Sequence, residues 1–293
     1  MDRRGCLRVA MLAFLGAIAA CKTSNIPVAG TEANMQQKSS RYDMGEGVLK
    51  QVGGANYDVQ LKSLQDIAPD LARFTVEFAY GDIMSRPGLD LNTRQISTVA
   101  ALAAMGNVQP QLKYHINGAL NVGSTPSQIV EAIMLNTVYA GFPAALNGVF
   151  AAKQVFQERG IAFAPTATTS ADDRYARGLQ ALEQVSAGSG ANVIRSLQDI
   201  APDLARFIIE FSYSDIIARP TLDNRIRELA TVALLTALGT AQPQLKVHIS
   251  AALNVGATRQ EIVEVIQQMA VYAGFPAALN GISAAREVFV EAR

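Results

Sequence analysis

Tryptophan is absent, and sulfur and imidazole nearly so: the 293 residues hold two cysteines and two histidines. Cys6 and Cys21 both fall within the first 21 residues, so the body of the chain has no thiol. That excludes from the body a disulfide framework, thiol redox chemistry and a cysteine metal site. Two histidines are too few for a histidine-rich metal centre, and no metal or organic cofactor is expected. Charge is sparse and balanced, with 25 Lys and Arg against 25 Asp and Glu. There is no basic patch, no aromatic–basic interleaving and no Gly-rich phosphate loop, so nucleic acid is not an expected partner. Instead, 49% of the residues are hydrophobic. Abundant Ala, Leu, Val and Ile in a low-charge chain imply large buried surfaces, including surfaces between subunits.

The chain says nearly the same thing twice. Residues 41–160 align with residues 174–293 at a constant offset of 133 without a gap, and 67 of the 120 pairs are identical. Repetition on this scale sets the unit of folding. It gives a first copy over 41–159, a linker over 160–173 with Pro165 and a Thr-Ala-Thr-Thr-Ser run, and a second copy over 174–293. The two histidines, His115 and His248, occupy equivalent positions, although neighbours differ: Tyr114 becomes Val247 and Asn117 becomes Ser250.

The signals within each copy are helical. Val48, Leu49 and Val52 follow Gly45 at helical spacing, and Ser63 to Phe74 recurs unchanged as Ser196 to Phe207. Ala68-Pro69-Asp70 reads as a helix start. Leu71, Phe74, Phe78 and Ile83 form an apolar stripe that must stop at Arg86-Pro87. A helix from Thr93 to Met105 ends at Gly106, and Pro110 opens the helix that carries His115. Thr125-Pro126-Ser127-Gln128 and Thr258-Arg259-Gln260-Glu261 are capping-box patterns; the first opens a helix running to Tyr139, before Gly141-Phe142-Pro143. Neither copy contains a convincing period-2 strand, so both read as all-α.

Residues 1–20 stand apart. Arg3, Arg4 and Arg8 precede an apolar stretch, Val9 to Ala20, that is short for a membrane span. The ending Ile18-Ala19-Ala20-Cys21 resembles the lipobox of bacterial lipoproteins. That resemblance implies a removed signal peptide, a lipid on Cys21 and a membrane anchor. With Lys22 following, it implies a periplasmic location at the outer membrane. Residues 21–40 contain little apolar surface and read as a flexible tether.

Several motifs recur in one order. They are Tyr80-Gly81-Asp82 through Arg86-Pro87-Gly88-Leu89-Asp90 with Arg94, Gln111-Leu112-Lys113 with His115, Ala119 to Gly123, and Val138-Tyr139-Ala140-Gly141-Phe142-Pro143. The second copy matches at Asp215, Arg219-Pro220, Asp223, Arg227, His248, Gly256 and Tyr272 to Ala277. Together they resemble the carboxymuconolactone decarboxylase family. The resemblance implies an all-α fold of about six helices per copy and a homo-oligomer, here a trimer of two-repeat chains. It also implies loss of carbon dioxide from a carboxylated muconolactone without metal or cofactor. A redox branch of the family carries Cys-x-x-Cys ahead of the histidine; here those positions are Val108 and Gln111, and Ala241 and Gln244, so that chemistry is excluded. A glutamate usual in that branch is Glu228 in the second copy and Gln95 in the first.

Decarboxylation needs an oriented carboxylate, an electron sink and a proton for carbon. Arg86, Arg94, Arg219 and Arg227 are the candidate binders of a small carboxylate or lactone, because a guanidinium offers a bidentate fork. His115 and His248, with Glu228, are the candidate proton-transfer groups, and Tyr139 and Tyr272 are candidate hydrogen-bond donors. Each has a structural alternative. A histidine on an Ala- and Leu-rich helix can be a satisfied core residue. Arg94 and Arg227 can cap helices or pair with Asp90 and Asp223, and Asp82 and Asp215 can pair with the arginines. The tyrosines can be packing residues. The competing function is a non-catalytic envelope lipoprotein that uses the fold for binding or assembly.

Overall fold

A computed structural model describes residues 31–165 and 173–292, and within them the chain is helical with no strand. The segment read as a signal peptide, Cys21 and the centre of the linker lie outside the described residues. The first copy begins with α1 (Thr31–Gly53) and α2 (Pro69–Phe74), which runs on as a π-helix over Thr75–Met84. It continues with α3 (Leu91–Met105), α4 (Gln109–Asn121), α5 (Pro126–Met134, extended by Asn136–Tyr139) and α6 (Phe142–Glu158). The second copy repeats the order: α7 (Arg174–Ser186), α8 (Pro202–Phe207, then π over Ile208–Ile217), α9 (Asn224–Leu238), α10 (Gln242–Asn254), α11 (Arg259–Tyr272) and α12 (Phe275–Glu291).

One expectation differs from the structure. Helix α1 starts at Thr31, inside the segment read as a tether. The tether reading weighed hydrophobicity alone, whereas Glu32, Ala33, Met35, Gln36, Gln37 and Lys38 are good helix formers. Within the apolar stripe of the first copy, Leu71 and Phe74 are about half exposed, as are Leu204 and Phe207 in α8, whereas Phe78 and Ile83 are partly buried.

The caps behave as the sequence requires. Asp90 accepts from the Thr93 amide, Thr125 and Thr258 form complete capping boxes, and Gly106 and Gly239 close α3 and α9 at φ +72° and +69°.

The recurring Arg-Tyr-x-x-Gly opening has a physical reason. Arg41 donates to Asp82 and Arg174 to Asp215, each tying the first helix of its copy to the π-helix. Gly45 and Gly178 let the backbones meet: a Cβ there would sit 2.1 Å from the Val76 and Ile209 carbonyl oxygens, respectively. Backbone oxygens cannot step aside. Exposed helical glycines usually gain about 0.5–1 kcal/mol on replacement by alanine. Gly45→Ala and Gly178→Ala are instead expected to cost about 1–3 kcal/mol each, read by denaturant titration.

The copies share one core. Helices α3 and α9 pack along each other at its centre, burying Ile96, Val99, Ala100 and Ala103 against Leu229, Ala230, Ala233 and Leu234. Small side chains on α3 permit that close approach. Two satellite clusters sit between α1 and the first π-helix and between α7 and the second.

Candidate active site

Placing α3 against α9 crosses the copies, and each histidine meets residues of both. His115 on α4 lies with Nδ1 2.9 Å from Gln95 Oε1 on α3. Its ring stands edge-on to Tyr272 from the end of α11, with centroids 5.1 Å apart at 89°. His248 on α10 lies with Nδ1 2.7 Å from Glu228 Oε2 on α9, and its ring stands edge-on to Tyr139 at 5.0 Å and 87°. The result is two composite sites, each taking its tyrosine from the other copy.

Both rings are buried, at 5% and 6% exposure, but on side-chain partners rather than main chain. An amide or carboxylate oxygen only accepts, so Nδ1 carries the proton in each. That leaves Nε2 as the reactive nitrogen. It makes no hydrogen bond among the described residues.

Burial lowers the His115 pKa to about 3. Buried phenols surround the rings. Tyr80 donates to Tyr114 at 3.5 Å, and Tyr114 is edge-on to His115. Tyr272 approaches Thr98 and Tyr139 approaches Thr231. Burial pushes Tyr80, Tyr114, Tyr139, Tyr213 and Tyr272 upward, so all five remain protonated donors at neutral pH.

The neutral His115 gives acid sensitivity with a definite sign. Its folded pKa lies below the ordinary value of 6.5. Between pH 6.5 and about 3 the unfolded chain therefore takes up a proton that the folded chain refuses. Stability is full above that window and falls within it, by about 2 kcal/mol from pH 6.5 to pH 5. Denaturant titrations at both pH values should show this loss in the wild type and a smaller one in His115→Gln.

The arginines are placed differently from the expectation. Arg86 Nε lies 2.9 Å from both oxygens of Glu264 in the other copy. Arg94, with no exposure, donates to Glu264 at 2.9 Å, to the Arg86 carbonyl at 3.0 Å and to the Leu89 carbonyl at 3.1 Å. Arg219 and Arg227 meet Glu131 of the first copy at 3.2 and 3.4 Å. Arg94 and Arg227 are thus neutralised parts of the interface between copies rather than open anion binders, and Asp90 and Asp223 serve as caps. For Glu264, burial opposes ionisation, but Arg86 and Arg94 outweigh it and hold the carboxyl below its usual range. Burial pulls Arg227 down from the usual arginine value against the pull of Glu131 and Glu228.

Glu131 and Glu264 were missed in the sequence. The signal available was a glutamate in an apolar run, Ile129-Val130-Glu131-Ala132-Ile133, retained in both copies. Gln268 was missed too: it donates to Thr98 at 2.7 Å and accepts from Arg94 at 3.3 Å, whereas its counterpart is Leu135.

Two cavities flank the Arg219–Glu131 pair. One, of about 400 Å³, lies between α7 and the loop ahead of α9 and is lined by Arg177, Gln184, Arg219 and Asn224. The other, of about 230 Å³, is lined by Glu131, Met134, Phe163 and Arg219. Neither is lined by a histidine. Among the described residues no group of three or more potential ligands could hold a metal, and no helix is long and apolar enough to cross a membrane.

The chain matches known proteins along both copies. It is 36% identical over 123 residues to the 4-carboxymuconolactone decarboxylase of Acinetobacter baylyi, covering 42% of this chain and 91% of that protein. It is 27% identical over 118 residues to the nitrosuccinic acid decarboxylase of Metarhizium robertsii, covering 40% of this chain and 82% of that protein. A solved chain of Burkholderia xenovorans LB400, described as a gamma-carboxymuconolactone decarboxylase subunit, superposes with a TM-score of 0.53 at 24% identity. It covers 84% of this chain and 97% of its own length, and it speaks for the fold. The sequence model of the carboxymuconolactone decarboxylase family matches twice, over residues 69–154 and 202–287, and the chain belongs to that family.

Proposed function

We propose that the protein is a cofactor-free decarboxylase of a small carboxylated lactone or a similar enolisable acid, working at a site shared by its two copies. The observation that carries this reading is the His248–Glu228 pair. The imidazole is buried, its tautomer is fixed through Nδ1, and its Nε2 is free to carry a proton to substrate carbon. The two relatives named above are decarboxylases of different small acids, which supports the reaction type and leaves the substrate to experiment. In the reaction the bond to the carboxylate carbon breaks and carbon dioxide leaves. The electron pair moves into the unsaturated lactone, and Nε2–H returns a proton to carbon. Solvent then reprotonates the ring. In this reading Tyr139, edge-on to His248, is the donor to the charge that develops on substrate oxygen.

The test is turnover of 4-carboxymuconolactone by the purified chain, followed by ultraviolet absorbance. The competing reading, a binding or assembly module, draws on Gln95 in the first site and on the full pairing of Arg94 and Arg227; absence of turnover in the wild type would favour it. Three parts of the proposal come from elsewhere on the molecule. Export, lipid attachment at Cys21 and a body on the periplasmic side of the outer membrane are part of this reading, supported by the pattern of residues 3–21. Association of chains into a trimer is supported by the exposed Ile67, Leu71 and Phe74 and their counterparts Ile200, Leu204 and Phe207. Cys21→Ala should move the protein from the membrane to the soluble fraction.

A further inference from the structure

The two sites are built alike and differ where proton transfer is decided. At His115 the partner of Nδ1 is the Gln95 amide; at His248 it is the Glu228 carboxylate. We infer that the sites are unequal: the His248 site transfers the proton with Glu228 as its positioning residue, and the His115 site is a neutral copy that does not. This rests on the decarboxylase reading and deepens it.

Proton donation from Nε2 requires an imidazolium, because Nδ1 already bears the fixed hydrogen. A carboxylate at Nδ1 compensates the ring's positive charge, whereas an amide oxygen supplies only a dipole. Around His115 the facing groups are Gln95 from α3, Tyr114 from its own helix, Tyr272 from α11 and, through Tyr114, Tyr80 from the first π-helix. All are neutral. The nearby cation, Arg94, is held by Glu264. Around His248 the facing groups are Glu228 from α9 and Tyr139 from the first copy. Tyr213 of the second π-helix and Arg227 lie within electrostatic range of Glu228, and Arg227 is held by Glu131.

Two further differences point the same way. Tyr114 crowds His115, while the equivalent Val247 leaves that side of His248 without a phenol. In addition, Glu228 Oε1 is buried without a partner and Gln95 Nε2 likewise. The free atom is thus an acceptor at one site and a donor at the other. Only the first can assist a ring that becomes charged. The lowered pKa of His115 agrees with the geometry.

The experiment combines kinetics with nuclear magnetic resonance, for which two histidines give two resolvable C2–H signals. His248→Gln should lower kcat at least about 100-fold and His115→Gln by no more than about twofold. Glu228→Gln should lower kcat at least about tenfold and displace the kcat–pH profile, with KM little changed. Gln95→Glu added to His248→Gln should restore measurable turnover at the other site. Equal losses in the two histidine variants, or an unchanged kcat in Glu228→Gln, would overturn the inequality. Turnover unchanged in both histidine variants would likewise overturn it, whereas absence of turnover in the wild type would sink the decarboxylase reading and leave the inequality to be decided by resonance alone. The His115 signal should hold still from pH 8 to pH 5 in the wild type and move in Gln95→Glu. Movement of both wild-type signals in parallel would overturn it.

Discussion

Glu264→Ala is expected to destabilise the protein by about 3–5 kcal/mol, the range for stripping one partner from a buried ion pair. Glu264 is the shared acceptor of Arg86 and Arg94 and stands at the junction of the two copies. Arg86 is 43% exposed and can turn to water when its partner goes. Arg94 cannot: it is fully enclosed, and its remaining acceptors are the Arg86 and Leu89 carbonyls and the Gln268 amide oxygen. The loss is therefore mostly the desolvation of a guanidinium left without a counter-ion, not the net worth of the bridge. That distinction has its own test. Arg94→Met combined with Glu264→Leu removes both charges and should recover most of the stability, because a buried pair and an apolar replacement of similar volume come close to balance. Guanidinium titration of the three proteins reads the comparison. A cost below about 1 kcal/mol for Glu264→Ala would put the pair in the class of surface bridges and would mean the copies are held by the α3–α9 core alone.

His248→Gln is expected to abolish most of the turnover while leaving the fold intact. Positioned general acids contribute between about 10² and 10⁴ in rate. A glutamine amide can still donate to Glu228, so the buried carboxylate keeps a partner and the structural cost stays small. The loss should fall on kcat, since no interaction with the ground-state acid is removed. A rise in KM at constant kcat would assign His248 to substrate binding instead.

Much of the fold was legible because the chain supplies its own comparison. Two copies without a gap fixed the helical unit, and Thr125, Thr258, Asp90, Gly106 and Gly239 marked its boundaries through cap chemistry that operates within a few residues. The histidines were legible as a pair for the same reason. What connects elements far apart in sequence was not. Nothing local to Arg94 says that its counter-ion is Glu264 of the other copy, because a guanidinium reads the same whether it faces substrate or a buried glutamate. The crossing of Tyr139 to His248 and Tyr272 to His115 follows from α3 lying on α9, a packing choice that small residues on α3 permit but do not dictate. The exposure of Leu71 and Phe74 was not legible for a related reason: helical spacing shows that a face is apolar, not which surface covers it.

The most direct measurement is proton magnetic resonance of the product formed in deuterated water by wild type and by His248→Gln. The account predicts that the wild type places one deuterium on a single face of the lactone carbon to which the electron pair is delocalised when carbon dioxide leaves, and that His248→Gln forms product at least about 100-fold more slowly. Product formed by His248→Gln at the wild-type rate, with the same deuterium on the same face, would contradict it.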